Sequence, residues 1–154
     1  MTPDDRSLDL IRRSVLCWLA TVSTEGVPNV SPKEIFAHDG AETLLIAEIA
    51  SPVSLRNLRG NPMACVSMID IFTQKGCKIT GPARILAPDT PDFDTAAAPL
   101  LALTGGAFPI RHVFEIRIDT CRPIIAPGYY MRPGTTEESQ VAGAMAAYGV
   151  RPAS

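Results

Sequence analysis

Two histidines, four cysteines and no excess of basic residues narrow what this chain can be before any motif is read. His38 stands in an Asp39-Gly40 turn and is expected to be exposed. His112 opens an apolar stretch, and neither histidine has a Cys, Asp or second His at metal-ligand spacing, which argues against a metal site. Cys17, Cys65, Cys77 and Cys121 form no C-x-x-C pair, and the first two sit in apolar runs, so they read as reduced structural thiols. That places the protein in the cytoplasm. No apolar run is long enough to span a bilayer, and Met1-Thr2-Pro3-Asp4-Asp5 lacks the basic and apolar regions of a secretory leader. Lys plus Arg number 14 against 16 Asp plus Glu, which argues against a nucleic-acid binder while leaving room for a local positive pocket. There is no Gly-x-Ser-x-Gly elbow and no P-loop; Gly105-Gly106 follows a helical stretch, whereas a phosphate-cradling loop would open one.

What remains is a globular composition, 46% hydrophobic and 19% charged, of a length that fits one domain over residues 1–154. Leu8, Ile11 and Val15 recur at helical spacing, so Asp5 to Val15 is predicted to be a short helix. The period then changes. Cys17 to Ser23, Val27 to Phe36 and Thr43 to Ala47 read as an antiparallel meander with turns at Thr24-Glu25-Gly26 and Asp39-Gly40. Ser51 to Pro62 is a bounded helix, with Ser51 as N-cap, Pro52 as first residue, Gly60 expected just after the C-cap and Pro62 preventing continuation. Met63 to Asp70, Gly76 to Leu86 and His112 to Ile118 complete six strands. Pro91 to Leu103 is predicted helical, with Thr90 as N-cap and a kink or break at Pro99; the Ala-rich tail from Thr136 to Tyr148 is helical too. Six strands with short helices at their edges suit a closed or nearly closed barrel.

Three segments can carry chemistry. The helix beginning at Pro52 offers free N–H groups and partial positive charge to a phosphate, with Ser51, Ser54 and Arg56 nearby; ordinary capping is the plainer explanation. In Pro28-Asn29-Val30-Ser31-Pro32-Lys33, alternation puts Asn29, Ser31 and Lys33 on one polar face, which is either a ligand face or a solvated one. Lys33 can set a positive charge near a ring carbonyl or phosphate, and Pro32 marks an edge or an irregularity. Thr73-Gln74-Lys75-Gly76-Cys77-Lys78 brings two lysines and a glutamine into a strand start.

Taken in order, A-T-V-S-T-E-G-V-P-N-V-S-P-K, S-P-V-S-L-R-N-L-R-G-N-P and F-T-Q-K-G-C-K-I-T-G resemble the pyridoxamine 5′-phosphate oxidase-like family of FMN-binding split barrels. The resemblance runs from about Cys17 to Leu86, with an echo in His112 to Ile118. It implies a mainly β fold, a six-stranded antiparallel split barrel, and a homodimer with two FMN sites between subunits. Carried over by position, Asn29, Val30, Ser31 and Lys33 lie along the flavin. Ser54, Asn57 and Arg56 lie near its phosphate, and Gln74, Lys75 and Lys78 approach from the same or the partner subunit. The implied function is an FMN-dependent oxidoreductase passing electrons between a nicotinamide or small organic substrate and FMN. A flavin-binding electron carrier, or a barrel using haem or a deazaflavin, is the alternative. The chain ends in an Ala-rich stretch and Arg151-Pro152-Ala153-Ser154 where the biosynthetic oxidase has an Arg-rich substrate segment, which argues against oxidation of the vitamin phosphate itself.

Overall fold

The structure, a computed structural model, describes residues 3–152. Met1, Thr2, Ala153 and Ser154, the ends of the stretches read for a leader and for an Arg-rich tail, lie outside the described residues. Helix α1 (Asp5–Arg13) starts at Asp4, whose carboxylate accepts from the Ser7 N–H at 2.8 Å. Strands β1 (Cys17–Val22), β2 (Pro28–Lys33), β3 (Phe36–His38) and β4 (Thr43–Glu48) follow, then α2 (Pro52–Gly60). Strand β5 (Met63–Asp70) leads into the long β6 (Lys75–Leu86), and α3 (Phe93–Thr104) separates it from β7 (His112–Arg117) and β8 (Thr120–Ile125). Two helices close the chain, α4 (Gly128–Met131) and α5 (Glu137–Tyr148).

All strand pairs are antiparallel, in the order β2-β1-β5-β6-β7-β4-β3, with β8 added against β6. This is a mainly β half-barrel with short helices, and it has eight strands among the described residues where six are predicted. Two causes account for the difference. The predicted strand Val27 to Phe36 is two strands, because Glu34 and Ile35 leave the ladder and carry the chain from one edge of the sheet to the other. Strand β8 holds Cys121-Arg122-Pro123, which has no apolar alternation; it pairs only with β6, so Pro123 sits where a missing donor is tolerated.

The 12-residue β6 joins the two halves of the barrel: Lys75 to Pro82 pair with β5, and Ala83 to Leu86 pair with β7. At the junction, a Cβ on Gly81 would lie 1.7 Å from the Arg117 carbonyl oxygen, so only glycine lets the strands cross so closely. Leu19, Val66, Ile79, Phe114 and Ile116 fill the barrel interior, and a second apolar cluster lies under α3 around Leu86, Leu100 and Val113.

Helix α3 begins after Asp92 rather than Thr90. The Thr90 hydroxyl accepts instead from the Ala87 N–H at 3.0 Å and closes the preceding turn. Pro99 does not interrupt the helix, which ends at Gly105 in the left-handed conformation with φ 56°. No helix among the described residues is long and apolar enough to cross a membrane.

Candidate functional site at the barrel seam

Strands β2 and β3 are the two ends of the sheet path, so the two-residue crossing at Glu34-Ile35 is the seam of the barrel. The backbone closes it from the far side, where the Ala47 N–H donates to the Ile35 carbonyl at 3.0 Å. A cavity of about 310 Å³ opens there, between Lys33, Ile35, Ala47, Ile49, Ser51 and Phe108. That is the lower end of the range for small-molecule clefts, and the walls are mainly apolar with a few polar groups.

Alternation along β2 turns Asn29, Ser31 and Lys33 inward, since they pair with Thr21, Leu19 and Cys17, all buried. The row meets the start of α2. The Asn29 amide donates to Ser54 Oγ at 3.3 Å, Ser31 Oγ lies 3.2 Å from Ser54 Oγ, and Lys33 Nζ donates to Ser51 Oγ. The predicted capping role of Ser51 is therefore not its role in the structure: its hydroxyl makes no cap bond to α2 and is engaged by Lys33. Pro52 has no N–H, so the Val53 and Ser54 N–H groups are the positive end of the helix dipole, and no side chain caps them.

Lys33 is only 7% exposed. Burial pushes its ammonium below the ordinary lysine value, while Cys17 and Glu48 act in the other direction. Burial also pushes the Cys17 thiol up to about 12, so at neutral pH it is uncharged and Glu48 is the anion that faces Lys33. Glu48, 3% exposed, ends β4. Its Oε1 accepts from the Ser51 N–H at 2.6 Å and its Oε2 from His112 Nδ1 at 3.0 Å. Glu48 is missed by sequence reasoning, which also sets His112 aside for want of a partner: the two stand 64 positions apart and meet only through the β4–β7 register, which pairs them directly.

The other carried-over residues are distributed differently. Asn57 is buried, but its amide donates to Thr21 Oγ1 at 3.1 Å, fastening α2 to β1. Arg56 is exposed on the second turn of α2. Val30 points to the outer face of the sheet and is 59% exposed. Lys78 shares that outer face: it pairs with Ser67, Ser67 with Trp18, and Trp18 with Pro32. It is thus three strands from Lys33, about 14 Å at normal strand spacing, and on the opposite side of the sheet. Gln74 turns the chain into β6 with φ 53°. Lys75 pairs with Glu137, stacks 4.4 Å from the Tyr129 ring centroid, and lines a separate cavity with Asp4 and Cys121. Within one chain the structure brings together Asn29, Ser31, Lys33 and Ser54, and leaves Gln74, Lys75 and Lys78 elsewhere.

The sequence profile of pyridoxamine 5′-phosphate oxidase matches residues 3–124, most of the chain. This chain belongs to the pyridoxamine 5′-phosphate oxidase family. The family match ends within β8, so α4 and α5 lie beyond it. No functionally curated protein matches the chain in sequence. Several solved structures share its barrel. HupZ of Group A Streptococcus superposes with a TM-score of 0.67 at 21% identity over 78% of this chain and 92% of that one. An FMN-binding protein from Syntrophomonas wolfei superposes with a TM-score of 0.68 at 16% identity over 79% and 86%. HutZ of Vibrio cholerae, a heme storage protein, does so with a TM-score of 0.64 at 19% identity over 81% and 95%. At these identities the likeness is one of fold.

Proposed function

We propose that this member of the family is a flavoprotein that binds FMN at the barrel seam as a homodimer. In that role it moves electrons between FMN and a nicotinamide or small organic substrate. The observation that carries the reading is the meeting of β2's inward polar row with the uncapped start of α2. A buried ammonium and the Ser51 hydroxyl line one opening with mainly apolar walls and the exposed Glu34 at its side, and the Asn29-Ser31-Ser54 cluster joins the same strand to the uncapped start of α2. That donor set fits a flat, partly apolar ligand with a dianionic tail. When bound, FMN supplies the redox chemistry, and the protein supplies binding, orientation and electrostatics. Ser54 and the α2 N–H groups are assigned to the phosphate, and Lys33 to the electron-rich edge of the ring system. A second copy is part of the reading because Lys78 and Val30 face outward, where only another chain's ligand can meet them. The four cysteines are free thiols, in keeping with a cytoplasmic location.

The test is a titration of the purified protein with FMN, followed by assays with reduced nicotinamides and common acceptors. Shifted flavin bands and nicotinamide oxidation support the oxidoreductase reading. Tight binding with no turnover points to a flavin carrier, and absent binding sinks both.

One observation favours a second reading. The carboxylate of Glu48 fixes His112 through Nδ1, which leaves Nε2 as the free ring nitrogen, the arrangement that orients a histidine toward a metal. A haem iron is the occupant this suggests, and a deazaflavin is the other cofactor to try in the seam. A Soret band that forms on adding haem and disappears in His112→Ala would favour it over FMN.

A further inference from the structure

The carboxylate of Glu48 reaches two elements at once. It is 3% exposed, accepts from the backbone of Ser51 at 2.6 Å, and accepts from His112 on β7 at 3.0 Å. Ser51 in turn accepts from Lys33 Nζ, so four residues from β2, β4, the start of α2 and β7 form one continuous chain of hydrogen bonds. Its Lys33 end lines the seam cavity. We propose that Glu48 is a positioning residue of the seam site: it anchors Ser51, is itself held by His112, and supplies the counter-charge that keeps Lys33 protonated and aimed at the opening.

The physical case is a matter of which groups face the lysine. From β1 it meets Cys17, which is a neutral thiol at neutral pH. Glu34, next in the chain, also lines the cavity but is exposed to solvent, where its field is weakened. Arg111 is exposed, and its backbone N–H donates to the Glu48 carbonyl rather than to the carboxylate. Ile35, Ala47, Ile49 and Phe108 offer no charge. Glu48 is thus the buried anion available to an ammonium that burial otherwise drives toward its neutral form. His112 completes the geometry by holding the second carboxylate oxygen, so that the first stays on Ser51.

The inference rests on the FMN reading only for its ligand readout, and the test separates the two. The ¹³Cε resonance of Lys33 in the ligand-free protein, assigned by its loss in Lys33→Met, is followed against pH in wild type, Glu48→Gln and Glu48→Asp. The Lys33 midpoint is expected to fall in Glu48→Gln and to fall by less in Glu48→Asp, where a carboxylate remains but is withdrawn. In parallel, the loss of FMN affinity in Glu48→Gln relative to wild type is expected to grow with pH, by up to about tenfold between pH 6 and the alkaline end. If Glu48→Gln does not fold, Glu48→Asp alone carries the comparison. A Lys33 midpoint that is unchanged in the folded variants overturns the proposal whether or not FMN binds. A lowered midpoint in a protein that does not bind FMN upholds the role of Glu48 and removes only the flavin.

Discussion

An ammonium taken out of water costs several kcal/mol unless an opposite charge and hydrogen bonds accompany it. Lys33 has both, in Glu48 and Ser51, and that arrangement makes its two possible losses unequal. Lys33→Met should weaken FMN binding by about tenfold or more, since a charge-assisted contact to an anionic ligand is worth about 1.5–3 kcal/mol. It should also cost about 1–3 kcal/mol of stability, because the bond to Ser51 is lost and Glu48 loses a nearby counter-charge while keeping the Ser51 N–H and His112, and adding Glu48→Gln should recover part of that loss. Denaturant unfolding of the single and double variants measures the coupling. Asn57 belongs to a different category from the one its position suggested. Its amide is committed to Thr21 inside the molecule, so Asn57→Ala should cost about 1–3 kcal/mol of stability and change FMN affinity far less than Lys33→Met does. At this scale the inward row Asn29, Ser31 and Lys33 was legible, because a period of two names its members without any structure. Glu48 and its pairing with His112 were not, because what joins them is a strand register and no local pattern.

The elements that the sequence announced are those with strong local signals. Helix α2 has Pro52 at its first position and Pro62 beyond its end, and β1, β4 and β5 are apolar runs or clean alternations. The elements it concealed are governed by tertiary pairing. Polar–apolar alternation does break at Lys33-Glu34 and again at Ile35-Phe36, but with no Gly or Asn-Gly turn there the run still reads as one strand, and only the closing barrel makes that break the seam. Strand β8 is extended because β6 offers it six partners, despite Pro123. Strand β6 itself depends on glycine where it passes from one half of the barrel to the other. Gly81→Ala would drive a Cβ to 1.7 Å from a backbone oxygen that no side-chain rotation can move. It should destabilise by about 3 kcal/mol or more, read as a large drop in the denaturant midpoint. Gly143→Ala, on α5 with nothing within 4 Å of the added Cβ, should be neutral or slightly stabilising in the same experiment.

At the scale of the molecule, the face of the sheet that carries Trp18, Val30 and Ile69 is exposed in the isolated chain, with Trp18 44% accessible. Lys78 lies in the same row as Trp18. A homodimer that covers this face would account for both the apolar exposure and the outward lysine. Trp18→Glu should then shift sedimentation from dimer to monomer while leaving the far-ultraviolet circular dichroism of the barrel intact; a wild-type protein that sediments only as monomer would contradict the assembly. Family membership reaches through residue 124, and the seam with its partly buried Lys33-Ser51-Glu48-His112 chain lies wholly within that span. The most direct test of a flavin site at the seam is an absorption spectrum of the purified protein during titration with FMN. Saturation at one FMN per chain with shifted flavin bands, lost in Lys33→Met, is the predicted result. Flavin bands that stay those of free FMN at every protein concentration would contradict it.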